Sequence, residues 1–171
     1  MKRFFSTSFI FLTIAMLILS APATLSINAK ANAKAAQPNI NAWGEFASGN
    51  VKRGKSVQGK VIMDIPGGLH THSNKPYDKY LIPTKLEVFP PNGVRVGAVI
   101  YPTGKIVKLG FSNSKLSVYE GRTTLKFNVT VPANYSGGEI AIKAKLRYQA
   151  CSDSECYAPA SKEVWLKAGV Q

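Results

Sequence analysis

Cys151 and Cys156 are the only thiols in the chain, and four residues separate them in YQACSDSECYAPASKEVWL. Two chemistries are open to such a pair. It can form a bond that staples an exported domain, or it can work as a dithiol that trades electrons with a partner when a thiolate attacks a disulfide sulfur. As a staple the bond would do little: closing a loop of about six residues contributes roughly 2 kcal/mol, against more than about 4 for a loop of a hundred. Asp153 and Glu155 lie between the sulfurs. Carboxylates disfavour a neighbouring thiolate and raise the thiol pKa, so this dithiol would react slowly with random oxidants and mainly with a partner that reorganises the site. From the residues alone, exchange and structural bridging both stay open.

A second group could do chemistry. His70 and His72 are two positions apart in GLHTHSN. On an extended segment both rings face one way, and with the cysteines they could bind zinc or copper. Against this, they precede the cysteines by about eighty residues, and a lone H-x-H is more often surface or turn chemistry. The expectation is therefore no metal and no cofactor. No serine occupies a G-x-S-x-G elbow, and the nine carboxylates show no pairing. The sequons at Asn128 and Asn134 are given no role, since the first falls in an expected strand and the motif is weakly specific.

The elements that must position these residues are strands. In RTTLKFNVTV the apolar Leu125, Phe127, Val129 and Val131 alternate with Lys126, Asn128 and Thr130. EIAIKAKLRYQ does the same, with Ile140, Ile142, Ala144, Leu146 and Tyr148 opposite Lys143, Lys145 and Arg147. Period two puts one set inside and the other in water. Weaker alternation runs through SVQGKVIMDI, TKLEVF, SKLSVY and KEVWLK, and turn signals such as Pro66-Gly67-Gly68 and Pro90-Pro91-Asn92-Gly93 separate the runs. No segment holds a helical period. The pattern predicts an all-β fold, an immunoglobulin-like β-sandwich, with an open barrel as the other arrangement. The cysteines then fall in the connection between a strand ending at Gln149 and one beginning near Lys162, at a loop tip where the sulfurs can be reached.

The amino terminus sets the compartment. Lys2 and Arg3 precede an apolar run from Phe9 to Leu19, and Ala21-Pro22-Ala23 supplies small residues for cleavage. That run is about half the length needed to span a bilayer. Residues 1–23 are expected to be a cleaved export signal, 24–42 a flexible leader of small polar residues, and 43–171 the folded domain. Its 45% hydrophobic residues suffice for a core without help from a disulfide. The formal charge is +13, about +11 after cleavage. The lysines are dispersed with no basic run or interleaved aromatic stack, so nucleic acid is excluded and acidic partners or anionic surfaces are favoured.

Three stretches carry a family resemblance: GGLHTHSNKPYDKYLIPTKLEV, YPTGKIVKLGFSNSKLSVYEGRTTLKF and the cysteine hairpin YQACSDSECYAP. In order and approximate spacing the chain resembles, over residues 43–168, the amino-terminal periplasmic domain of the thiol:disulfide interchange protein DsbD. The resemblance implies an immunoglobulin-like domain, acting as a monomer outside the cytoplasm. Its redox pair, Cys151 and Cys156, would take electrons from a membrane-embedded thiol carrier and pass them to thioredoxin-like proteins, a role that serves cytochrome c biogenesis. It implies Cys156 as the sulfur that forms the mixed disulfide, and an aromatic cap, for which Phe111 in LGFSNSK is the candidate. It also accounts for His70 without a metal. Two departures stand out. The chain stops at Gln171 without the membrane and thioredoxin-like domains of DsbD, so electrons would arrive in trans; and the acidic residues lie inside the cysteine loop instead of beside Phe111. The competing reading is a binding β-sandwich with an incidental disulfide.

Overall fold

The computed structural model describes residues 37–108 and 114–171. The described residues fall in one compact unit. Among the described residues there is no helix and there are twelve strands: β1 (Asn41–Phe46), β2 (Asn50–Val51), β3 (Ser56–Ile65), β4 (His70–His72), β5 (Lys85–Phe89), β6 (Arg95–Val96), β7 (Lys105–Val107), β8 (Leu116–Tyr119), β9 (Gly121–Thr130), β10 (Glu139–Tyr148), β11 (Ala150–Cys151) and β12 (Ala160–Val170). They pair into three four-stranded sheets, in the orders β1-β3-β9-β6, β2-β12-β10-β5 and β11-β4-β8-β7.

The first two sheets form the sandwich. Period-two alternation sends Leu125, Phe127 and Val129 of β9, and Ile140, Ile142, Ala144 and Leu146 of β10, to full burial. Together with Val61 and Met63 of β3 and Leu166 of β12 they make one core. The tight spot is Gly59, which lies opposite Phe127 in the ladder. A Cβ there would sit 2.7 Å from Phe127 Cε2 and 3.1 Å from Leu166 Cδ2, so the missing side chain is what lets the phenyl ring lie across β3 and meet the facing sheet. The architecture is an immunoglobulin-like β-sandwich, as the alternation predicts. β1 opens at Asn41 behind a buried Ile40, two residues ahead of the Trp43 at which the sequence pattern places the start of the domain.

The third sheet is assembled from strands that leave the sandwich. β3 and β9 pair as far as Ile65 opposite Gly121, and beyond that point their continuations pair again as β4 with β8. Between the two ladders the β3 side spends five residues, Pro66 to His70, with Leu69 N–H donating to the Pro66 carbonyl over 3.1 Å and Gly68 at φ 77°. The β8 side spends only Glu120, followed by Gly121 at φ 59°, a left-handed value that glycine adopts without penalty. Likewise β10 runs through Gln149 into β11, which pairs with β4. Tyr119 fixes the far side: its hydroxyl donates to Asn74 Oδ1 over 2.7 Å and accepts from the Asn74 N–H over 3.2 Å.

Candidate functional site

The hairpin between β10 and β12 supplies both sulfurs. The two strands pair from Glu139 opposite Gly169 to Tyr148 opposite Ala160, which leaves residues 149–159 as the tip. Within the tip Cys151 and Cys156 face each other as an isolated antiparallel bridge and are joined by a disulfide. The turn SDSE between them is held from inside. Ser152 N–H donates to the Glu155 carbonyl over 2.8 Å, and Ser152 Oγ accepts from the N–H groups of Ser154 and Glu155 over 3.3 and 3.2 Å. A serine bonding the backbone two and three residues on is a local turn device, so this short sequence sets the cysteine spacing largely by itself. Tyr157 N–H closes the base by donating to the Ala150 carbonyl over 2.9 Å.

The two sulfurs differ in surroundings. Cys151 is fully buried in β11, while Cys156 is exposed on the returning arm. Asp153 and Glu155 are both exposed on the turn. The expected loop tip is therefore half a tip: only one sulfur is open to an approaching partner. The other is covered because Cys151 sits opposite His70 in the ladder with β4. Phe111, the expected cap, and the expected export signal at residues 1–23 lie outside the described residues.

The same ladder brings in a residue that the sequence separation argued against. His72 Nε2 lies 4.0 Å from Cys151 Sγ, although the two residues are 79 positions apart along the chain. His72 is fully buried, and its backbone is gripped by Thr84, whose hydroxyl donates to the His72 carbonyl over 2.6 Å, and by the pairing with Val118. Burial pulls its pKa below the ordinary histidine value, and the Ile82 backbone works the other way. His70 is also buried. Burial first, then the neighbouring His72, lowers its pKa, and the carboxylates of Asp153 and Glu120 oppose this. In both, burial favours the neutral ring. His72, Cys151 and Cys156 place one donor atom each within 4.8 Å of one another, a set that could hold a metal. Beside them runs a shallow cleft lined by Pro66, Gly68, Leu69, His70, Glu120 and Asp153.

The arrangement suits bond exchange. One sulfur is presented to solvent on a locally braced turn, and its partner is held by the scaffold with a neutral imidazole against it. The one signal in the sequence for this proximity was the extended H-x-H itself. No helix among the described residues is long and apolar enough to cross a membrane.

Residues 41–168 match the model of the family described as thiol:disulfide interchange protein DsbD, N-terminal. Among solved structures the chain is similar to the N-terminal periplasmic domain of ScsB from Proteus mirabilis, at 11% identity and TM-score 0.48, with 76% of this chain and 47% of that chain covered. It is also similar to a family 123 glycoside hydrolase from Clostridium perfringens that hydrolyses glycolipid glycans, at 9% identity and TM-score 0.35, with 77% of this chain and 27% of that chain covered. The chain thus spans less than half the length of either structure. No curated protein matches the sequence.

Proposed function

The chain belongs to the family of DsbD amino-terminal domains, whose role is thiol:disulfide interchange, and from that premise we propose that it relays electrons outside the cytoplasm through Cys151 and Cys156. The observation that carries the proposal is the pairing of an exposed Cys156 with a buried Cys151 in one bond. In-line attack needs access to one sulfur and a leaving group on the other. A donor thiolate attacks Cys156 Sγ, the bond to Cys151 breaks, and Cys151 leaves with the electron pair and takes up a proton. A second donor thiolate then attacks the donor sulfur of the mixed disulfide and releases reduced Cys156. Two electrons enter and the donor leaves as a disulfide. Delivery runs in reverse: Cys156 thiolate attacks the acceptor disulfide, and Cys151 resolves the mixed disulfide to restore the bond.

The donor in this reading is a membrane-embedded thiol carrier and the acceptors are thioredoxin-like proteins, with residues 1–23 directing export and a leader from residue 24 that ends ahead of the buried Ile40. Asp153 and Glu155 hold the thiols protonated between encounters, because their charges oppose a thiolate. By the family resemblance, Phe111 is assigned as the aromatic cap of the cysteine pair. Replacing Phe111 by Ala should then speed reduction of the bond by glutathione; an unchanged rate removes Phe111 from that role.

The test of the relay is trapping. With Cys151 replaced by Ala, Cys156 can form a mixed disulfide that nothing resolves. Expression of this variant in the native host should yield covalent adducts with thiol redox proteins that a reductant releases, and the Cys156→Ala variant should yield none. Absence of adducts from Cys151→Ala under both oxidising and reducing growth would contradict the proposal.

A further inference from the structure

The H-x-H motif is the part of the sequence that the relay leaves unused, and the fold places its second histidine against the sulfurs. We propose that the reduced protein binds one zinc ion through Cys151 Sγ, Cys156 Sγ and His72 Nε2. The three atoms lie within 4.8 Å of one another, and the Nε2 to Cys151 Sγ separation is 4.0 Å. Zinc takes bonds of about 2.3 Å to sulfur and about 2.0 Å to nitrogen, so a tetrahedral site has N to S edges of about 3.5 Å and an S to S edge of about 3.8 Å. The existing His72 to Cys151 edge is within about half an ångström of that geometry. The two sulfurs are bonded in the oxidised protein and must part, and only the exposed Cys156 arm has to swing for them to do so.

The sites of the ligands are unequal in a useful way. His72 is fully buried with its backbone fastened by Thr84, and Cys151 is fully buried and held in the ladder with β4. Those two donors are preorganised, and Cys156 closes over them. Charge favours a divalent ion: two thiolates and a neutral imidazole carry two negative charges, which zinc cancels, whereas a monovalent ion would leave a net charge in a buried corner. Binding exchanges two thiol protons for the metal and involves no change of oxidation state. The fourth position faces solvent on the Cys156 side and is left to water or to a donor from a partner. With both sulfurs acting as ligands neither can attack a disulfide, so the ion would hold the reduced domain inactive. The inference rests on the relay reading only in requiring that the bond can be opened, and a chemical reductant meets that requirement.

The experiment is titration of the reduced, desalted protein with Co²⁺ under anaerobic conditions, followed by displacement with Zn²⁺. The expected result is one ion per chain with thiolate-to-cobalt charge-transfer absorption and tetrahedral d–d bands, none of it in the oxidised protein. His72→Gln, which keeps the side chain polar and similar in reach, should weaken binding at least about 100-fold, since loss of an outer-shell partner alone lowers affinity by about 10 to 100. Nitrogen resonances of the His72 ring should shift on adding Zn²⁺ to the unmodified protein, and this reading holds even if the variant fails to fold. Equal affinity in His72→Gln, an unshifted ring, or one ion shared between two chains would overturn the proposal. A reduced protein that exchanges disulfides but binds no Co²⁺ would sink this inference and leave the relay standing; one that binds the ion but yields no trapped partner would do the reverse.

Discussion

Single-cysteine variants separate the two sulfurs, and the structure sets the size of the difference. In Cys151→Ala the remaining thiol is exposed; in Cys156→Ala the remaining thiol is fully buried within β11. To reach Cys151 a reagent must wait for the tip to lift. That motion breaks the pairing of Ala150 with Thr71 and of Cys151 with His70, together with the Tyr157 to Ala150 and Ser152 to Glu155 hydrogen bonds. Taking about three net bonds at ~1 kcal/mol each gives an opening free energy of about 3 kcal/mol. At about 1.4 kcal/mol per factor of ten, Cys151 should be alkylated roughly 100-fold more slowly than Cys156. Iodoacetamide labelling at pH 8, followed by intact mass and normalised to the same variant in concentrated urea, removes differences in intrinsic thiol reactivity. Folded rates within about threefold of each other, against the roughly 100-fold worked above, would refute the division into an exposed attacking sulfur and a buried resolving one.

Three further outcomes follow from the same geometry. Replacing both cysteines by Ala should lower the free energy of urea unfolding by only about 2 kcal/mol, because the bond closes a short loop; a loss above about 4 would mark the disulfide as the staple of the fold. Gly59→Ala should cost about 1 to 3 kcal/mol, since its Cβ would fall 2.7 Å from a fully buried Phe127 ring; unchanged urea denaturation would show that ring and strand can part freely. Burial raises the pKa of Tyr148 above the usual phenol value of about 10. The unfolded chain therefore ionises first, and the stability this residue contributes is present below about pH 10 and lost as pH climbs through the folded pKa. Tyr148→Phe should lose less stability across that window than the unsubstituted protein, and identical alkaline profiles would contradict the assignment.

The sandwich was legible because its strands have one wet face. Leu125 to Val131 and Ile140 to Tyr148 alternate without a break, and each run becomes a strand of ten residues. Of the third sheet only β8 could be read, from the weak alternation in SKLSVY. β4 is three residues with all three buried, and β11 is two. Strands covered on both faces have no period to read, and strands this short have no room for one. The site inherits that limit. The cysteine hairpin could be read because its strands flank it in the sequence and its turn is held by Ser152. The approach of His72 could not, since it follows from the register of β11 on β4, where the two residues are 79 positions apart along the chain. Counting residues between histidine and cysteine argued for distance; a ladder of two residue pairs brings them together.

The central claim is that the bond between Cys151 and Cys156 opens and closes in the working life of the protein. Its reduction potential tests this most directly. Equilibration with graded glutathione buffers, acid quenching and mass analysis of alkylated thiols give the value. The account predicts a potential in the range of exchange proteins, about −120 to −270 mV. A value below about −300 mV, where structural disulfides lie, would contradict it.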